Sequence, residues 1–482
     1  MTGRAAPSYG PPVDPQAPLR RQIEVASPLH AACALAPLGS PFLLHGGPGE
    51  GGARWSFFGA EPFATFGPSD YDEAVRLWRR CRAAGAPRAA DVPPLQGGLV
   101  GYWAYDFGRR LERWPRIARD DLGLPDVRLA AYDVIGAYDH LTGRACLMST
   151  GLPLDAPHRS LRAEQRLDRF KRLLAGAPRA PFWLPPRPRT SHAPRSTFTP
   201  DEYRRAVERV REHIAAGDIF QANLSQRWSL ELPNAPTPLA WALHESLALC
   251  SPAPFSAFLG GADHAIASSS PEGFLRLRGS QVETRPIKGT RPRAALPAED
   301  ARLQAELLAS AKDRAENVMI VDVLRNDLGR VCATGSVEVT ALCELESFAQ
   351  VHHLTSTVRG RLAPGRDAFD LLHACFPGGS ITGAPKLRAI EILEALEPVR
   401  RHVYTGAIGY VDWNGDADWN IAIRTALVTP QGVHFAAGGG ITADSDPEAE
   451  YRETLHKASG MVRALEPLVG PLRLEPQAAA VP

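Results

Sequence analysis

The stretch YTGAIGYVDWNGDADWNIAIRTALVTPQGVHFAAGGGIT, residues 404–442, decides the fold. Three strand-like runs follow one another in it, YTGAIGYVDW (404–413), WNIAIRTALVT (419–429) and GVHFAAGGGIT (432–442), with no helical segment between them. Helical patterns lie on either side: KLRAIEILEALEP (386–398) and FDLLHACFPGG (369–379) upstream, DPEAEYRETLHKASGMVRALEP (446–467) downstream. Further upstream, residues 298–331 read as one long helical run, and APFSAFLGG, HAIASSS and GFLRLRGSQVETRPIKG as strands. Strands and helices both abound but do not alternate one by one, which predicts an α+β protein rather than a doubly wound parallel sheet.

Residues 1–20 read as a mobile tail, 21–175 as an N-terminal region, and 176–196, dense in proline and without apolar periodicity, as a linker. A new unit opens at TFTPDEYRRAVERVREHIAAGD, where a capping threonine precedes a proline in the first helical turn. This unit runs over 197–467, followed by a tail over 468–482.

Of the 482 residues, 54 are Lys or Arg and 53 Asp or Glu, leaving a formal charge of +1, so the chain lacks the electrostatic footprint of a nucleic-acid binder. Seven scattered cysteines, none spaced as CxxC, suggest free thiols in a reducing compartment. No stretch approaches the ~20 apolar residues of a membrane span, and the proline-rich start lacks the apolar core of a signal peptide. The expectation is a cytoplasmic enzyme or binding protein without membrane attachment.

Four groups of residues could carry chemistry. RPIKGTRPR (285–293) sets Lys288 between Pro286 and Gly289, ordinary turn punctuation, so in isolation it reads as a solvated loop charge. PGGSITGAPK (377–386) has the glycine spacing of a phosphate loop. Its lysine is displaced by two positions and Pro385 removes an amide donor, which excludes nucleotide binding through it. In the last helix Glu450, Glu453 and Lys457 fall on one face, and Glu316 lies on another helix. These carboxylates read as solvated surface or as a Mg²⁺ site, since Mg²⁺ takes one or two protein carboxylates and keeps several waters. Gly438, Gly439 and Gly440 form either a plain loop or a backbone cradle for a carboxylate.

Taken in order, SPEGF, RPIKGT, KDRAENVMIVDVLRNDLGRV, FPGGSITGAPK, YTGAIGY, IAIRT and GGGITADSDPEAEYRETLHK resemble the chorismate-utilising enzymes. The match covers about 197–465, and GARWSFFGAEP and GGLVGYWAYDFGRRLE resemble the N-terminal part of the anthranilate and aminodeoxychorismate branches. The resemblance implies two packed, mainly antiparallel sheets with helices outside. It also implies a Mg²⁺-dependent enzyme acting on chorismate, with Glu316 and Glu453 as metal ligands and Glu450 near the metal. Lys457, Arg424, Tyr404 and the amides of Gly438, Gly439 and Gly440 resemble the substrate-carboxylate contacts, with Gly289 and Thr290 lining the pocket. Glu272 matches the family's general acid and His353 its active-site histidine.

Two positions bear on the branch. Where the water-adding members carry a general-base lysine, this chain has Gln221, and an amide cannot take a proton from water at neutral pH. Lys288 stands where anthranilate synthases have alanine and where the aminodeoxychorismate branch has a nucleophilic lysine. The resemblance is therefore closest to aminodeoxychorismate synthase component I, leading towards 4-aminobenzoate and folate. The alternatives are anthranilate synthase component I and a non-catalytic chorismate-binding subunit. No glutaminase nucleophile motif is present, so the resemblance implies a separate glutamine amidotransferase supplying ammonia in a heterodimer. FLLHGG (42–47 within PFLLHGG) departs from the LLES wording found where some members bind tryptophan, which argues against feedback by that amino acid.

Overall fold

The computed structural model describes residues 17–46, 54–83, 92–155, 158–176, 193–348 and 351–474. Most of the expected first tail, the expected linker and the final tail lie outside these residues. The last helix extends through Pro467 to Val469, two residues past the boundary read from sequence.

Two sheets form the centre, one of twelve strands and one of ten, and every strand pair in them is antiparallel. The first runs from Leu19–Ile23 through Phe42–His45, Phe255–Leu259 and Gly432–Ile441 to Gln221–Glu231 and the short strand Gly383–Ala384. The second runs from Ile287–Pro292 through Val351–Arg361, Gly273–Arg278 and Ala407–Asp412 to Gly98–Trp103 and Ala64–Phe66. Both sheets therefore draw strands from either side of residue 176.

The strand Gly98–Trp103 explains how the layers stack. Val100 and Tyr102 point between the sheets, packing with Phe57, Tyr132, Ile266 and Ile408. Leu99 and Trp103 point the other way, into a core closed by the helices Tyr71–Ala83, Ala311–Gly329 and Ala368–Cys375. The outer face of the first sheet is covered likewise by Pro28–Leu35, His158–Ala175, Pro236–Cys250 and Pro447–Val469. With both faces buried, such strands read as continuous apolar runs, not as alternating ones. The fold is thus two antiparallel sheets packed together with helices outside.

The helical run at 298–331 is two helices, Pro297–Ala309 and Ala311–Gly329. Ser310 separates them with an extended backbone (φ −66°, ψ 104°), and its hydroxyl accepts from the Asp313 amide at 3.2 Å, capping the second helix. That break sets the start of the helix carrying Glu316. No described helix is long and apolar enough to cross a membrane.

In the second sheet Gly101 lies directly opposite Gly409. A Cβ on Gly409 would stand 2.0 Å from the Asp418 carbonyl oxygen, and one on Gly101 2.0 Å from that of Arg128. Gly409→Ala should therefore destabilise the protein by about 1–3 kcal/mol through forced strand separation. Chemical denaturation measures this, and an unchanged midpoint would show that the strands can part freely.

Candidate active site

Lys288 lies in an edge strand, not in the tight turn its neighbours suggest. Ile287–Pro292 pairs with Val351–Arg361, but Ile287 faces Thr355 and Thr290 faces His353, so one extra residue is accommodated between them. Gly289 absorbs the bulge at φ +82°. The bulge re-aims the Lys288 side chain, a common device beside active sites. Its ammonium reaches the Ser380 carbonyl at 3.4 Å and faces Glu316 and Glu272, with Lys457 and Glu453 further round. Burial lowers the Lys288 pKa, against the opposing pull of Glu316 and Glu272.

Glu272, 8% exposed, follows the strand Ala265–Ser270, and its backbone is held by a 3.0 Å bond from the Ile421 amide to its carbonyl. Burial raises its pKa, moderated by a hydrogen bond from the Ser380 hydroxyl and by Lys288. Burial thus acts in opposite directions on the two groups, raising the acid and lowering the amine, which is the pattern of an acid/base pair. Ser380 touches both groups, and no motif in the sequence singled it out.

The three remaining glutamates converge from two helices. Asp446 caps Pro447–Val469 by accepting from the Ala449 amide at 2.8 Å, and Glu450, Glu453 and Lys457 then share a face. Lys457 pairs with Glu453 at 2.5 Å and donates to the Gly438 carbonyl at 3.1 Å. Burial raises Glu453, but Lys457, with Lys312 and Lys288, outweighs it and the net pKa is lowered. Glu450 accepts from the Ser445 hydroxyl at 2.6 Å and burial raises its pKa; burial also raises Glu316, on Ala311–Gly329. Among the described residues no three His, Cys, Asp or Glu side chains stand close enough to hold a metal unaided. The donor set is all oxygen and incomplete, which fits an ion that keeps waters and takes few protein ligands.

Gly438, Gly439 and Gly440 lie within the strand Gly432–Ile441 rather than in a loop, opposite Ser225, Leu224 and Asn223. Beyond Phe435 this strand has a strand partner on one edge only among the described residues, which leaves its other backbone edge for a ligand. Side chains are excluded there by neighbours: a Cβ on Gly439 would stand 2.8 Å from Glu450 Oε2, and one on Gly440 2.3 Å from Gln221 Nε2. Gln221 is fully buried and neither its Nε2 nor its Oε1 has a hydrogen-bond partner among the described residues. A buried amide with both ends unsatisfied costs stability unless something binds it.

His353 Nδ1 bonds the Thr290 hydroxyl at 2.9 Å, and burial with the nearby Arg424 lowers its pKa to about 4, leaving it neutral above that pH. Arg424 occupies the left-handed region at φ 49°, a strained position for a non-glycine residue. The residue is exposed, its guanidinium has no ion-pair partner among the described residues, and desolvation by the surrounding protein lowers its pKa. Tyr404 is 9% exposed and burial raises its pKa, so its hydroxyl stays protonated. Lys386, the displaced lysine of the phosphate-like loop, bonds Asp327 at 2.6 Å and the Cys375 carbonyl at 2.9 Å, a staple that holds the Ser380 turn. The cavity of about 610 Å³ lies elsewhere: it is walled by His45, Trp55, Phe255, Tyr410 and Ile287, and Lys288 and the glutamates do not line it.

The model of the chorismate binding enzyme family matches residues 42–463. The chain belongs to that family. Within it, anthranilate synthase component 1 of Streptomyces coelicolor is 43% identical over 451 residues, covering 91% of this chain and 86% of that protein. Aminodeoxychorismate synthase component 1 of Salmonella typhimurium is 44% identical over 374 residues, 77% of this chain and 78% of that protein. Among solved structures, anthranilate synthase component I from Streptococcus pneumoniae superposes with a TM-score of 0.72 at 32% identity, covering 87% of this chain and 93% of that one. The protein is a chorismate-utilising enzyme, and its relatives divide between two members of the family.

Because burial depresses Lys288, its amine should acetylate at lower pH than the lysine of a short free peptide labelled in the same reaction. Peptide mass spectrometry across pH 6–11 reads this; identical midpoints would contradict the enclosed amine.

Proposed function

We propose that the protein is aminodeoxychorismate synthase component I, converting chorismate and ammonia to 4-amino-4-deoxychorismate. The observation that carries this reading is the Lys288 amine, half-buried at a strand bulge and facing Glu316 and Glu272, with its pKa lowered. A neutral amine is a nucleophile and an ammonium is not.

In this reading the Lys288 nitrogen bonds to C2 of the ring. The two ring double bonds shift, and the C4 hydroxyl departs as water with the proton that Glu272 donates. Ammonia then bonds to C4, the double bonds shift back and the lysine leaves C2. Two allylic displacements replace one direct substitution. Lys457 and Arg424 supply the cations that hold the dianionic substrate, the free edge at Gly438, Gly439 and Gly440 supplies amides, and Tyr404 supplies a hydroxyl donor. Thr290 and Gly289 line the same pocket beside His353, and the Gln221 amide is placed to meet a ligand that needs no general base.

Glu316 and Glu453 would hold Mg²⁺, with Glu450 reaching it through water. The ion would neutralise the ring carboxylate. A separate glutamine amidotransferase would supply ammonia in a cytoplasmic heterodimer, and the product would feed 4-aminobenzoate and folate synthesis. The Streptomyces relative favours a second reading, anthranilate synthase component I, and Lys288 is the residue against it.

With ammonium, Mg²⁺, chorismate and a lyase, the chain alone should yield 4-aminobenzoate; accumulation of anthranilate would establish the second reading. Glu272→Gln should lower kcat by about 10²–10⁴-fold. Glu316→Gln and Glu453→Gln should weaken Mg²⁺ binding measured calorimetrically, and unchanged affinity in both would remove them as ligands.

A further inference from the structure

Behind the site, Glu397 and Arg401 form an ion pair that is almost wholly enclosed, with side-chain exposures of 8% and 3%. The guanidinium grips Glu397 at both ends, Nε to Oε2 at 2.7 Å and Nη2 to Oε1 at 2.6 Å. Its remaining donors go to two other segments: Nη1 to the Ile381 carbonyl at 2.9 Å and Nη2 to the Asn223 carbonyl at 2.5 Å. Glu397 Oε1 in turn accepts from the Ser225 amide and hydroxyl, each at 2.9 Å. The Tyr105 ring backs the guanidinium at 4.7 Å.

We infer that the Glu397/Arg401 pair is a positioning element for the active site, a single buried fork that sets the spacing of three of its walls. Each bond ends one step from a group that faces the reacting amine or the substrate edge. Ile381 follows Ser380, which contacts both Lys288 and Glu272. Asn223 and Ser225 lie opposite Gly440 and Gly438 across the sheet. Tyr404 is three residues beyond Arg401, in a segment held in an unfavourable backbone: His402 has φ 51° and Thr405 φ 62°. A β-branched residue in the left-handed region persists only where its surroundings over-determine it. The fork is part of that constraint, since Nη1 also lies 3.4 Å from the Thr405 hydroxyl.

The chemistry of the fork explains why arginine stands there. A planar guanidinium can satisfy a carboxylate and two carbonyls at once in fixed directions, whereas an ammonium is a point charge without that geometry. Neither partner touches a reacting atom, so the pair acts through Ser380, the glycine strand and Tyr404. A buried pair that only held the fold would be replaceable without altering those groups once the protein was folded.

The inference takes its site from the proposed function, but its first test needs no substrate. Arg401→Lys keeps the charge and removes the fork; Ser225→Ala removes one hydroxyl bond to Glu397 and leaves the pair in place. In variants shown to be folded by circular dichroism, competitive acetylation of Lys288 should move to lower pH. The shift expected for Arg401→Lys is about half a unit or more, and smaller for Ser225→Ala, because the ammonium loses the Ser380 carbonyl. A short free peptide bearing one lysine, labelled in the same reaction, is the internal standard. With chorismate and ammonium, kcat should fall about 10- to 100-fold in Arg401→Lys, with KM changed much less. Folded variants that label Lys288 as the unaltered protein does would overturn the inference. If Arg401→Lys does not fold, Ser225→Ala decides by the same readout. Failure of the unaltered chain to consume chorismate would instead count against the proposed function, with the labelling result still deciding the positioning role.

Discussion

Burial of one ammonium against carboxylates is the constraint on which the site depends. Desolvation disfavours the charged amine of Lys288, while Glu316 and Glu272 favour it, and the balance falls on the side of a lowered pKa. The same burial raises the pKa of Glu272. The amine and the acid are thus driven towards the two protonation states that an addition with loss of a hydroxyl requires, by one low-dielectric environment acting with opposite sign on opposite charges.

The fold supplies that environment by placing the site where elements from both sheets and two helices meet. The bulged edge strand brings Lys288, the strand Gly432–Ile441 brings a half-unpaired backbone edge, and the helices Ala311–Gly329 and Pro447–Val469 bring the glutamates. Small changes at these junctions are amplified. The Ser310 break sets where Glu316 points, and the glycines at 439 and 440 let Glu450 and Gln221 press against the strand. Lys386, Asp327 and the Glu397/Arg401 pair brace the Ser380 turn from behind.

Much of this was readable in the chain. The i, i+3, i+7 spacing puts Glu450, Glu453 and Lys457 on one face, and the structure keeps them there; the element pattern points to an α+β protein, and the family resemblance to two antiparallel sheets. The motif resemblance drew attention to Lys288 and Glu272, which local sequence alone would leave as a loop charge and an ordinary buried acid. Other features were not readable, for physical reasons. The bulge depends on the register against His353 and Thr355, more than sixty residues away. The break at Ser310 was hidden because apolar periodicity continues through it. The glycine run passed equally for a loop, since what excludes side chains there comes from other elements. Ser380 sits inside the quoted glycine-rich stretch, but nothing there marks its contacts, and Arg401 and Glu397 carry no local signal, because the roles of all three arise only from contacts between distant segments.

The account rests on a covalent bond from Lys288 nitrogen to the substrate ring. The most direct measurement is peptide mass spectrometry of enzyme quenched in acid during steady turnover. The account predicts that the peptide bearing residue 288 carries the mass of chorismate less water, and that the modification disappears as chorismate is exhausted. An unmodified peptide throughout, while aminated product accumulates, would contradict it.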